Sequence, residues 1–268
     1  MNARMKATSR VALFGGIYSN YLALEAAIQD ARRRKADALY CLGDLGAFGP
    51  HPDRVFPLLA AQGVHCVQGN YDDSIGRELA DCQCGYTDPR DNHFAQISYD
   101  YTLAKTSSHN KAYLRSLPQE IRLELGPLRL LLCHGSPRRT NEFLWESTTS
   151  TAFLTHLLHT YNADVIATTH TGLKWRRSLA NNRHYVNVGV LGRPENDGRT
   201  SVWYTLLEYS PAQGLTIEFV PLVYDHQRLA REMRAEGLPE EFVATTLTGW
   251  WTTCLEVLPG KERKRGRY

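Results

Sequence analysis

Four polar groups follow short apolar runs along this chain. Asp44 comes after Ala38–Leu42, Asn70 after Val64–Val67, His134 after Leu128–Cys133, and His170 after Asp164–Thr168. A carboxylate, a carboxamide and two imidazoles form an N2O2 donor set. Such a set suits a borderline divalent ion, manganese first, with iron, zinc or nickel also compatible. Each residue alone has an ordinary explanation: a Gly-Asp after a strand is a turn with a helix cap, and a lone buried histidine is a hydrogen-bonded core residue. Four of them at successive strand ends read better as one site. A fifth strand end carries no such group. Val11–Phe14 runs into Gly15-Gly16-Ile17-Tyr18-Ser19-Asn20, a strand-to-helix turn of the kind where α/β enzymes keep chemistry, yet it has no carboxylate and no imidazole.

The elements that would position these groups alternate. Strand-like runs cover Val11–Phe14, Ala38–Leu42, Val64–Val67, Leu128–Cys133, Asp164–Thr168, His184–Val188, Ser201–Tyr209 and Leu215–Val223. Helical patterns cover Tyr21–Arg34, Pro52–Gln62, Thr149–Tyr161 and His226–Glu236. The first three strands alternate with helices, which predicts βαβ units and a parallel layer. The later strands follow one another closely, which predicts some antiparallel pairing. In an open α/β sheet the ligand crevice lies at the carboxyl ends of the strands, where all four polar groups fall.

No repeat, linker or composition break divides the chain, so residues 1–268 read as a single domain. Residues 76–127 are less regular and rich in turn formers and aromatics, as an insertion or lid beside the site would be. Within them "SSHNKAYLRSLP" reads as a helix, capped by Ser107 or Ser108 and followed by Pro118. Residues 224–268 read as a helical extension with a basic tail, and its Trp250-Trp251 pair is expected to pack on the body. Cys41, Cys66 and Cys133 sit in apolar runs and read as small buried hydrophobes. Cys82-x-Cys84 matches no strong zinc spacing and reads as a plain thiol pair.

Composition bounds the function classes. The chain is 43% hydrophobic and 22% charged, an ordinary globular balance. A net charge of +3 over 268 residues is too small to argue for nucleic-acid binding, and much of the excess lies in the tail from Lys261 to Arg267. No apolar run approaches the about 18 residues that span a bilayer. The basic start has no apolar segment behind it, so the expected location is the cytoplasm. Self-association is left open.

The blocks "CLGDLGAFGPHPDRV", "VQGNYDDSI", "LLCHGSP" and "VIATTHTG" resemble, in order, the signatures of the calcineurin-like metallophosphoesterase superfamily. "ALFGGIYSNYLALEAAI" looks like that family's first strand and helix, and "YVNVGVLGRP" is similar to its late Asn-Pro-Gly-Ser strand. The resemblance covers roughly Val11 to Tyr209 and is greatest to compact bacterial phosphodiesterase and protein-phosphatase-like members. It implies an α/β fold, a two-sheet sandwich flanked by helices in four α/β/β/α layers. It also implies a two-metal centre between the strand ends and a phosphate-ester substrate or phosphorylated ligand.

Carried over residue by residue, the resemblance implies that the second-metal ligands are complete: Asp44, Asn70, His134 and His170. The first-metal ligands are not. The family's Asp falls on Gly16, its His on Tyr18 and its last His on Gly172, which leaves that position vacated and implies one ion per chain. Where the family often has a leaving-group histidine, this chain has Tyr71. A phenol is a weaker acid than imidazolium. Asp72 either orients Tyr71 or caps the next helix. Tyr71 and Asp72 are thus the catalytic candidates, and Tyr18, Asn20, Arg138 and Arg139 the candidates for binding substrate, although "HGSPRR" also reads as a surface turn. A further alternative has Cys82, Cys84, Asp91 or His93 supplying replacement ligands. The expected activity is metal-dependent phosphomonoester or phosphodiester hydrolysis, phosphoprotein included. The alternative is a weak or inactive module that binds a phosphorylated ligand.

Overall fold

The computed structural model describes residues 9–264. The first eight residues and the end of the basic tail, Arg265 to Tyr268, lie outside the described residues. In chain order the elements are β1 (Ser9–Phe14), α1 (Tyr21–Arg33), β2 (Ala38–Cys41), α2 (Val55–Gln62), β3 (His65–Cys66), α3 (Asn70–Arg77), α4 (Pro89–Lys105) and α5 (Ser108–Ser116). Then come β4 (Glu120–Leu125), β5 (Leu128–Cys133), α6 (Thr151–Thr160), β6 (Val165–Thr168), β7 (Lys174–Leu179) and β8 (Arg183–Val188). The chain ends with β9 (Val202–Ser210), β10 (Gly214–Leu222), α7 (His226–Ala235), α8 (Glu240–Thr248) and the short α9 (Gly260–Arg263).

Two five-stranded sheets form, in the orders β10-β9-β1-β2-β3 and β4-β5-β6-β8-β7. β1, β2 and β3 are parallel, as are β5, β6 and β8; β9, β10, β4 and β7 add antiparallel edges. The strand period of two builds the layers. Val11 and Leu13 of β1 face Leu130 and Leu132 of β5 in the core between the sheets. Ala12 and Phe14 turn the other way, onto Leu24, Ala27, Ile28 and Ala31 of α1. Leu131 and Cys133 turn onto Leu154, Leu157 and Leu158 of α6. Each such large apolar side chain contributes about 1.5–3 kcal/mol by leaving water. The result is the four-layer α/β/β/α sandwich that the resemblance implied.

Several elements differ from the sequence reading. β4 and β7 were not foreseen: "EIRLEL" and "KWRRSL" are edge strands with one polar face, so no apolar run marks them. The stretch 76–127 is more regular than its turn formers imply, because α4 buries Phe94, Ala95, Ser98, Tyr99 and Thr102 on one face, partly through small polar residues. Ser107 is the cap of α5, its Oγ accepting from the Asn110 N–H. Trp251 is buried, its Nε1 donating to the Pro194 carbonyl at 2.7 Å. Among the described residues no helix is long and apolar enough to cross a membrane.

Candidate metal centre

The carboxyl ends of β2, β5 and β6 bring Asp44, His134 and His170 together, with potential ligand atoms all within 4.8 Å of one another. Asn70 opens α3 beside them, and the N–H of Tyr71 donates to Asp44 Oδ1 at 3.1 Å. All four side chains are buried. Asp44 and His170 both hold left-handed backbone, φ +58° and +66°. Such conformations cost about 1 kcal/mol or more and gather at functional sites. The turn around Asp44 is braced by Asp72, whose carboxylate accepts from the N–H groups of Asp44 (2.7 Å), Leu45 (2.9 Å) and Gly69 (2.8 Å).

The donor atoms fit a divalent ion. His134 Nδ1 lies 2.7 Å from the Leu42 carbonyl and donates to it, so Nε2 is the nitrogen that would give up its proton to take an ion. Nε2 lies 3.2 Å from Asp44 Oδ2 and 3.1 Å from His170 Nδ1. The Asn70 amide donates to the Cys82 carbonyl at 2.8 Å, which orients it and leaves Oδ1 buried without a partner. An unpaired buried polar atom such as Asn70 Oδ1 is costly, and a cation would satisfy it. His170 turns Nδ1 toward His134 Nε2, so Nδ1 is its atom at the centre, and its buried Nε2 points away from it. Burial, then the charge of His134, pushes His170 down to about 3, so it stays neutral and available as a ligand. Burial opposes ionisation of Asp44 and His134 alike. Their mutual attraction outweighs it, holding the carboxyl below its ordinary value and raising the imidazole above its own.

The positions where the resemblance expects further ligands are filled differently. A Cβ on Gly16 would stand 2.4 Å from Cε1 of the Tyr18 ring. One on Gly172 would stand 3.0 Å from Cη2 of Trp251 and 3.7 Å from Nη2 of Arg193, on backbone at φ +78°. A phenol, an indole and a guanidinium therefore occupy this side of the centre. Burial, then the charge of Asp44, raises the Tyr18 phenol far above its ordinary value, so it is a hydrogen-bond donor and not an anionic ligand. Gly16→Ala is expected to cost about 1–3 kcal/mol by pressing on the ring. Most of that cost should vanish in a Tyr18→Ala background, which a double-mutant cycle of urea denaturation measures.

Other candidates lie elsewhere. Asp72 does not reach the Tyr71 phenol, which donates to the Ala95 carbonyl of α4 at 3.2 Å. Burial and the charge of Asp44 push the Asp72 carboxyl up to about 6. Asn20 is fully buried as the cap of α1: Oδ1 accepts from the Ala23 N–H at 3.0 Å and Nδ2 donates to the Leu191 carbonyl at 3.2 Å, so it has nothing left for substrate. Arg138 and Arg139 are exposed, and Arg138 is paired with Glu142. Neither lines the cavity beside Asp44 and His170. Cys82 and Cys84 are bonded to each other as a disulfide, which corrects the thiol-pair reading. Asp91 accepts from the Val257 N–H at 2.9 Å and His93 is exposed, so this group supplies no replacement ligand set.

Sequence reasoning missed Arg193, buried in the loop after β8, and the aromatic cover. Phe143 lies on His170 with ring centroids 4.3 Å apart and on Tyr86 at 5.8 Å. Asn141 ties the two covering loops together by donating to the Gln83 carbonyl at 2.8 Å.

Known proteins share the family and the fold. The family model described as the calcineurin-like phosphoesterase superfamily domain matches residues 10–210. An uncharacterized protein of Methanocaldococcus jannaschii is 24% identical over 248 residues, 87% of this chain and 95% of that one. Among solved structures, a hypothetical protein of Pyrococcus horikoshii superposes with a TM-score of 0.75 at 19% identity, covering 91% of this chain and 100% of the other. A metallophosphoesterase of Sphaerobacter thermophilus gives 0.67 at 24% identity, covering 90% and 99%. At these identities the structural likenesses speak to the fold.

Proposed function

Because the chain belongs to the calcineurin-like phosphoesterase superfamily, we propose that it is a metal-dependent phosphoesterase working with one divalent ion per chain, held by Asp44, Asn70, His134 and His170. Manganese is the first assignment for that donor set. The observation that carries the reading is the buried, unpartnered Asn70 Oδ1 beside a cluster in which Asp44 Oδ2 and His170 Nδ1 both converge on His134 Nε2. When bound, the ion supplies Lewis acidity and an acidified water. The chain's own groups do the rest. The Leu42 carbonyl fixes the tautomer of His134, and the Cys82 carbonyl fixes the Asn70 amide. Tyr18 keeps its proton and offers a donor to a phosphate oxygen. Tyr71, with its phenol on the Ala95 carbonyl, is the group we assign beside the leaving oxygen. In this reading residues 76–127 serve as the cover of the centre, and the extension from residue 224 closes the remaining side through Phe242, Thr253 and Cys254.

Single-turnover cleavage of an aryl phosphate by manganese-loaded protein tests this. Metal-dependent release of the aryl alcohol is expected; no release with and without metal would sink the enzyme reading. One observation favours a second reading, a phosphate-binding module with little turnover. All four ligands are buried, and Phe143, packed on Tyr86, covers His170. Tight binding of the aryl phosphate without release would establish it.

A further inference from the structure

Arg193 is only 7% exposed. Its guanidinium lies 3.5 Å from the ring centroid of Trp251 and 5.8 Å from that of Phe48. Nε is buried with no hydrogen-bond partner, and among the described residues no carboxylate pairs with the group. A guanidinium cannot shed its proton, so a buried one needs a counter-charge. The stacked indole relieves part of the desolvation and leaves the fork of N–H groups unspent. That fork belongs to a cavity of about 50 Å³ which it shares with Asp44, His170 and Tyr18. Among the described residues lining it, Asp44 is the sole carboxylate and Arg193 the sole guanidinium.

Resting on the metal-centre reading above, we infer that Arg193 anchors the phosphoryl group, and that the substrate class is the dianionic phosphomonoester. The non-bridging phosphoryl oxygens would meet the guanidinium fork on one side and, on the other, the ion that Asp44, Asn70, His134 and His170 would hold. Charge argues for the dianion: a divalent ion and a guanidinium against the one cavity carboxylate leave two positive charges, which a monoester dianion matches and a diester monoanion does not. Space argues the same way. A water needs about 10–15 Å³ of such volume, so the cavity has room for a few waters or one tetrahedral oxyanion. Arginine suits the task because its planar fork meets two phosphate oxygens at once.

Calorimetric titration of inorganic phosphate into the manganese-loaded protein tests the anchor, with metal content measured on each sample. Arg193→Gln should weaken phosphate binding about 100-fold, two charge-assisted hydrogen bonds being lost. Arg193→Lys, which keeps the charge without the fork, should lose about tenfold. Metal content should not change in either. Phosphate binding by Arg193→Gln within about twofold of wild type would overturn the anchor. Because loss of the Trp251 stack can itself unfold a variant, the wild-type protein is also crystallised with tungstate. The oxyanion should lie within hydrogen-bond distance of Arg193, and an oxyanion elsewhere in the centre overturns the assignment. Phenyl phosphate should displace inorganic phosphate while a diaryl phosphodiester should not; equal competition would remove the monoester assignment. None of these readouts uses hydrolysis. A protein that binds phosphate through Arg193 without cleaving esters keeps the anchor and fails the enzyme reading. One that cleaves them with Arg193→Gln binding unchanged fails the anchor alone.

Discussion

His134→Ala should strip the bound metal from the folded protein and slow metal-dependent cleavage on the order of a thousandfold. His134 is 1% exposed, and its Nε2 faces Asp44 Oδ2 at 3.2 Å and His170 Nδ1 at 3.1 Å. Loss of a group that merely orients a ligand already weakens metal binding about 10- to 100-fold. Loss of the ligand itself should do at least as much. Elemental analysis of manganese-loaded wild type should find one ion per chain, and of the variant almost none. Removing His134 also leaves the Asp44 carboxylate buried with one fewer partner, so metal content must be normalised to folded protein measured by circular dichroism. Arg138→Ala is the control: that side chain is exposed and paired with Glu142, so cleavage should stay within about twofold. A His134→Ala protein that retains its ion and its rate would remove the centre as assigned. Two ions in the wild type would instead mean that other groups do the work absent from Gly16, Tyr18 and Gly172.

The parts of the centre that sequence disclosed are those set by strand geometry. Asp44, His134 and His170 each follow an apolar run: parallel β5 and β6 deliver the two histidines to one edge of their sheet, and β2 of the other sheet delivers Asp44 to the edge packed beside it. The inner core was legible for the same reason, since Val11, Leu13, Leu130 and Leu132 alternate with residues that face the helices. What stayed hidden depends on loops. Arg138 and Arg139 directly follow the His134 block and invite a functional reading, yet both are exposed. Arg193 sits among Gly, Pro, Asn and Asp and reads as a surface turn, yet Trp251, some sixty positions later, roofs it. No local pattern encodes that meeting. α4 was obscured because Ser98 and Thr102 stand on its buried face, and hydropathy marks neither as core. Asn20 shows the converse error: a polar residue in a suggestive turn is wholly used in holding the turn's shape.

Asp72→Ala should cost about 3–5 kcal/mol of stability, although Asp72 touches no substrate in this reading. Three buried N–H groups, of Asp44, Leu45 and Gly69, would lose their acceptor, and each orphaned donor costs about 1–3 kcal/mol before water relieves part of it. Two of those donors belong to the turn that holds Asp44 in left-handed backbone, which has little intrinsic reason to stay there. A relaxed turn would misplace the Asp44 carboxylate, so metal affinity should fall about 10- to 100-fold as well. Asp72→Asn should be milder on stability. Its one oxygen can still accept from two donors, and losing the charge removes repulsion from Asp44, the same repulsion that with burial pushes the carboxyl up to about 6. It should still weaken metal binding, because its amide N–H₂ would face one of the backbone N–H groups. Urea midpoints with and without manganese, paired with metal titrations, separate the two effects. If alanine cost under about 1 kcal/mol and left metal affinity intact, Asp72 would not be the brace, and the left-handed Asp44 would have to be held by Gly43 and its contact with Gly69 alone. That contact is close enough, 2.4 Å from a Cβ on Gly43 to the Gly69 nitrogen, to forbid a side chain there. But close packing excludes alternatives without selecting a carboxylate direction, whereas three N–H groups converging on Asp72 do select one. The larger loss should therefore follow Asp72.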